Sequence, residues 1–111
     1  MIELAGQLTE SEVPAGHTLL AAGTLGRELI ICVEGQLRIE QAGKPAEVHD
    51  APCLVGLLTA LDPHPHQASV TTLTPCRLLR LDHDTLVNEL LINNTLACGV
   101  IRYLVRQARQ A

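Results

Sequence analysis

Over 13–81 the chain is built of short apolar runs separated by glycine and proline. Pro14, Gly16, Gly23, Gly26, Gly35 and Gly43 punctuate its first part, the pattern of an all-β region of short strands. Leu29-Ile30-Ile31-Cys32-Val33 is apolar at every position, which predicts a strand buried on both faces. Gln36-Leu37-Arg38-Ile39-Glu40 alternates instead, pointing Leu37 and Ile39 inward and the polar residues to water. Gln41-Ala42-Gly43-Lys44 supplies a turn, and a further strand is expected over 46–49, ended by Asp50-Ala51-Pro52. Two more strands are predicted over 68–73 and 76–81, separated by Thr74-Pro75.

The helical signals lie elsewhere. Residues 1–12 carry Ile2, Leu4, Ala5 and Leu8 at loose helical spacing, and Gly6 weakens that helix by roughly 1 kcal/mol relative to alanine. A short helix is predicted within 55–61, and Asp62-Pro63-His64-Pro65-His66 is expected to be irregular because each proline fixes its own φ and restricts its predecessor. From Asp82 the period changes: Leu86, Leu90 and Leu91 recur at helical spacing with Asp84 placed to cap. A second helix, marked by Leu96, Val100, Leu104 and Ala108, begins at Asn94 or Thr95. Strands first and helices last give a mainly β fold with helices, in one domain over 1–111: a leading segment 1–12, a β-roll 13–81 and C-terminal helices 82–111.

Composition narrows the function. A chain of 111 residues and 11.9 kDa suits a single core. With 8 Lys+Arg against 12 Asp+Glu, a formal charge of −4, it lacks the basic surface that nucleic-acid backbones require. Tyr103 is its only aromatic residue, so neither a base-stacking platform nor an aromatic cage can be assembled. No apolar run reaches the length of a membrane span, and Glu3 stands where a secretory leader would be basic, which predicts a cytoplasmic location. Cys32, Cys53, Cys76 and Cys98 form no C-x-x-C pair and are expected to act as small buried hydrophobes.

Order and spacing then become specific. Val13-Pro14-Ala15-Gly16-His17-Thr18-Leu19-Leu20 is followed by Gly23-Thr24-Leu25-Gly26-Arg27-Glu28-Leu29-Ile30-Ile31 and by Val33-Glu34-Gly35-Gln36-Leu37-Arg38-Ile39. Together with Val55-Gly56-Leu57-Leu58, Pro65-His66-Gln67-Ala68-Ser69-Val70 and Leu78-Leu79-Arg80-Leu81-Asp82, these resemble the cyclic nucleotide-binding domain family, of the catabolite activator type, from about Val13 to the end. The resemblance implies a double-stranded β-helix: an eight-stranded, jelly-roll-like β-roll flanked by helices, with a ligand-binding cassette of a short helix and loop. It also implies a pocket formed by Val55, Gly56, Leu57, Leu58, His66, Gln67, Ala68 and Ser69.

In the family a Glu following the cassette glycine accepts from the ribose hydroxyl, and an Arg before a small Ala-Ser/Thr pair meets the cyclic phosphate. Here Gly56 is followed by Leu57, and His66 stands at the Arg position two residues before Ala68, so the cassette is degenerate. Leu57 cannot accept a hydrogen bond, and losing a charge-assisted phosphate contact costs roughly 2–5 kcal/mol. High-affinity cyclic nucleotide binding is therefore not expected, and Leu57 is expected to fill a closed pocket. The helix N-terminus after Gly56 still offers N–H groups to an anion, which keeps a second hypothesis: the same pocket sensing a different small anionic or polar ligand.

His64 and His66 raise a third hypothesis, a cupin-like metal site, but no acid follows within ten residues and the flanking prolines argue against the strand it needs. His17, His49 and His83 read as surface or capping residues. No nucleophile elbow or nucleotide loop is present, which predicts a non-enzyme without cofactor. Arg102, Arg106 and Arg109 suit the negative end of the last helix dipole. The stripe Leu96, Val100, Leu104 and Ala108 either docks on the roll or forms a homodimer through the 95–108 helix. The expected role is a regulatory or interaction module attached to another domain.

Overall fold

The computed structural model describes residues 9–110. Ten strands come first: β1 (Thr9–Val13), β2 (Thr18–Leu20), β3 (Leu25–Gly26), β4 (Glu28–Glu34), β5 (Gln36–Gln41), β6 (Glu47–Asp50), β7 (Cys53–Val55), β8 (His64–Pro65), β9 (Ala68–Thr72) and β10 (Cys76–Asp82). A one-turn helix, α1 (Leu57–Leu61), lies between β7 and β8, and α2 (His83–Ile92) and α3 (Asn94–Gln110) close the chain. Two antiparallel four-stranded sheets, ordered β1-β10-β4-β7 and β2-β9-β5-β6, make the roll, and β3 and β8 add a small ribbon. The eight strands of the two sheets are those expected of the family fold.

Two apolar clusters explain the strand patterns. Ile30, Cys32, Leu37, Val55, Val70 and Leu78 meet between the sheets. Leu29, Leu57, Ala60, Leu81 and Leu86 form a second cluster, against which Ile31, Leu54, Val100, Tyr103 and Leu104 pack. β4 supplies residues to both, so both its faces leave water and every position of Leu29–Val33 is apolar. β5 supplies only the first; Leu37 is fully buried while Arg38 and Glu40 are exposed. Thr72, inside the roll, is satisfied: its hydroxyl donates to Pro14 O at 2.7 Å and accepts from His17 N at 2.9 Å.

Several expectations are corrected. The weak helix over 1–12 is contradicted over its described part, because Thr9–Val13 pairs with β10 from Thr9↔Arg80 to Val13↔Cys76; residues 1–8 lie outside the described residues. An unpaired β10 edge wins over weak helix propensity. Asp82, not Asp84, caps α2, accepting from Thr85 N at 2.8 Å, and Asp84 falls in the first turn. His64–Pro65 is not irregular: it pairs with Leu25–Gly26 and is flanked by His66 N→Thr24 O at 2.8 Å. Proline's missing donor is tolerated because the neighbouring residue supplies the hydrogen bond. Cys98 is exposed and Cys53 only half-buried, so burial describes Cys32 and Cys76 alone.

α3 docks on the roll through Val100, Tyr103 and Leu104, while Ala108 at the end of the expected stripe is exposed. Asn93 ends α2 and starts α3, its side chain accepting from Leu96 N at 2.9 Å. No helix among the described residues is long and apolar enough to cross a membrane.

Candidate functional site

Gly56 fixes the entry to α1. Its φ of +81° is in the left-handed region, and a Cβ there would lie 2.4 Å from the backbone oxygen of Glu28. Only glycine lets β4 and the α1 entry approach this closely. The Gly56 carbonyl accepts from Ala60 N at 2.9 Å and from the buried Thr59 hydroxyl at 3.0 Å. The Leu57 side chain, 4% exposed, joins Leu29, Ala60, Leu81 and Leu86 in the second cluster.

Beside this turn lies a cavity of about 720 Å³, within the size range of small-molecule sites. The expected closure is therefore corrected: Leu57 takes part in the core and the space next to it stays open. Seven of the eight residues expected at the pocket line it, from Val55 to Leu58 and from His66 to Ala68. Ser69 does not; its hydroxyl accepts from Ala22 N at 3.0 Å and holds the β2–β3 loop instead.

The ionisable side chains on the cavity wall are Glu47, His49, Cys53, His64, His66 and Tyr103, and among the described residues no Lys or Arg lines it. Glu47 and His49, on exposed β6, meet at 3.2 Å, so His49 is a cavity-wall residue as well as a surface one. His83 is half-buried, its Nδ1 against Ala60 O, which ties α2 to α1.

His66 packs closely against Gly26: a Cβ on Gly26 would come within 2.2 Å of the imidazole. Burial holds His66 below the usual histidine range, and the charge of His64 pushes the same way. The ring is thus neutral at pH 7, a weak partner for an anion. It separates the cavity from a groove of about 450 Å³ where Arg27 and Glu28 lie. His64 turns its Nδ1 to Asp62 O, and among the described residues no three His, Cys, Asp or Glu side chains are grouped to hold a metal.

Sequence reasoning missed the far wall. Gln41, Glu47 and His49 reach the cavity from β5 and β6, Cys53 from β7, and Tyr103 and Leu104 from α3. The inward parity of Ile39 extends to Gln41 and marks the β5 contribution. Tyr103, three residues after Val100, was legible as part of the docked face of α3. Burial raises its hydroxyl pKa, with the nearby Cys53 adding to the effect.

A family model described as cyclic nucleotide-binding domain matches residues 10–93. Two curated relatives, the CRP-like cAMP-activated global transcriptional regulators of Mycobacterium tuberculosis strains CDC 1551 / Oshkosh and ATCC 25618 / H37Rv, are 28% identical over 112 residues, covering 96% of this chain and 50% of each relative. The chain thus spans about half the length of the curated relatives it matches. The Thermus thermophilus catabolite activator protein superimposes with a TM-score of 0.84 at 20% identity, over 94% of this chain and 51% of that one. The N-terminal domain of a transcriptional regulator from Streptomyces coelicolor A3(2) does so with a TM-score of 0.72 at 28% identity, over 94% of this chain and 76% of that one.

Proposed function

The chain belongs to the cyclic nucleotide-binding domain family, and from that premise we propose that it is a regulatory or interaction module of a longer cytoplasmic regulator, without catalytic activity and without high-affinity cyclic nucleotide binding. The observation that carries this is the cavity wall. Leu57 is committed to the core, His66 is held neutral, and among the described residues neither a guanidinium nor an ammonium lines the space. A cyclic phosphate entering it would shed water without a charged partner, a loss of roughly 2–5 kcal/mol. Calorimetric titration with cyclic AMP and cyclic GMP is expected to show no binding at low-micromolar ligand; a dissociation constant in that range or below for either overturns the proposal.

The open cavity favours a second reading, a different ligand in the same place. Amides of Gln41 and Gln67 and the neutral imidazole of His66 supply hydrogen bonds, while Leu20, Ile39, Val55 and Val70 supply apolar wall. That chemistry suits a small, largely apolar molecule carrying uncharged polar groups. The proposed macromolecular partner is a second copy, met through the face of α3 turned away from the roll. There Ile101 is 60% and Val105 45% exposed.

A further inference from the structure

The cavity wall contains a nucleophile that the proposed function does not use. Cys53 lines the cavity, half-buried. Directly opposite it on β4, in the register Cys32↔Cys53, stands fully buried Cys32. Residues directly opposite in an antiparallel pair project to the same face with Cα atoms about 4.5 or 5.5 Å apart, and both spacings fall within the range a disulfide spans. We propose that Cys32 and Cys53 are a cross-strand dithiol modification site, oxidised to a disulfide by a hydroperoxide that enters through the cavity.

The order of events follows from access. Cys53 faces the cavity, whereas Cys32 is sealed in the core between the sheets. The Cys53 thiolate attacks one peroxide oxygen, breaking the O–O bond and releasing hydroxide, which leaves as water after taking a proton; Cys53 becomes a sulfenic acid. Cys32 sulfur then attacks the Cys53 sulfur, displacing the sulfenic oxygen as a second water. The two thiols lose two electrons and two protons, and hydrogen peroxide accepts them. The Cys32 thiol donates to Glu34 O at 3.2 Å, and its nearness to Cys53 favours the Cys53 thiolate. Burial nevertheless raises both thiols, Cys32 to about 12, so the rate is expected to climb with pH.

Cys76 is the competing resolver. It also lies near Cys32, but the β10 partner of Cys32 is Leu78, and Cys76 pairs with Val13. Its thiol is directed to Thr74 O at 3.2 Å and Gln36 O at 3.5 Å.

The experiment treats the full chain carrying Cys98→Ser, which removes the exposed thiol, with hydrogen peroxide under native conditions. Free thiols are expected to fall from three to one, with the intact mass lower by two hydrogens and restored by dithiothreitol. Digestion after arginine and before aspartate separates Cys53 from Cys76 and is expected to recover a Cys32–Cys53 link. Adding Cys32→Ala should leave Cys53 as a dimedone-reactive sulfenic acid. Should that variant fail to fold, Cys53→Ala, at the half-buried position, is expected to leave Cys32 and Cys76 reduced. A Cys32–Cys76 link, a stable sulfenic acid at Cys53 with Cys32 present, oxidation of Cys32 without Cys53, or three unchanged thiols at peroxide levels that oxidise free cysteine would each overturn the proposal.

Discussion

His66 is neutral because of what it leans on. Gly26 offers no side chain, so the imidazole settles against its backbone, partly shielded from water, with His64 close enough to oppose a second positive charge. A histidine whose folded pKa is depressed adds no pH dependence above its unfolded value of about 6.5; as pH falls through that value, the unfolded chain takes up the proton first and the fold loses stability, until the folded group also titrates. Gly26→Ala puts a methyl where the ring lies. The ring can swing aside, since Gly26 has no left-handed backbone to strain. The His66 pKa, followed by NMR, is then expected to rise toward 6.5 and the acid loss of stability to shrink; an unchanged pKa would refute burial on Gly26 as its cause. The identities of Leu57 and His66 were legible from their place beside a glycine and an Ala-Ser pair. The geometry that makes them matter was not, because Leu57 turns to Leu81 and Leu86, which lie far along the chain.

Elements were legible where local pattern and tertiary demand agree. β4 and β5 declare their burial through a continuous and an alternating pattern, and both are observed. The pattern misled where pairing decides: β1 exists because β10 has an edge to fill, and β8 because β3 passes beside it. No window of residues contains that information. The Gly56 turn shows how closely elements can constrain one residue. Gly16 has a φ of +80° and open space, with nothing within 4 Å of where a Cβ would stand, whereas Gly56 shares the backbone angle and faces the immovable Glu28 carbonyl at 2.4 Å. Gly16→Ala should cost about 1–2 kcal/mol, the left-handed penalty alone. Gly56→Ala should cost more, about 3 kcal/mol or above, because backbone must also shift. Urea unfolding of the two variants measures the difference, and equal losses would show that the close approach to β4 contributes nothing.

At the scale of the molecule, α3 has two apolar faces and the roll uses one. Val100, Tyr103 and Leu104 dock, while Cys98, Ile101, Val105 and Ala108 remain exposed at spacings of three, four and three, the seam of a two-stranded coiled coil. Of the stripe expected from sequence to choose between roll and partner, Val100 and Leu104 take the roll, and Ala108 belongs to the exposed stripe beside it. An isolated helix of 17 residues is marginal in water, but α3 is already ordered by docking, so pairing need not supply the cost of forming it. In a parallel two-fold arrangement each seam residue meets its own copy, which sets Cys98 against Cys98 of the second chain. Light scattering of the reduced protein is therefore expected to give twice the chain mass. Ile101→Glu with Val105→Glu should return one chain mass with little change in melting temperature, since neither residue packs on the core. Mild oxidation should link the wild-type pair through Cys98 and leave the double variant unlinked. A wild type that stays monomeric across the micromolar range would leave that seam without a second copy to meet.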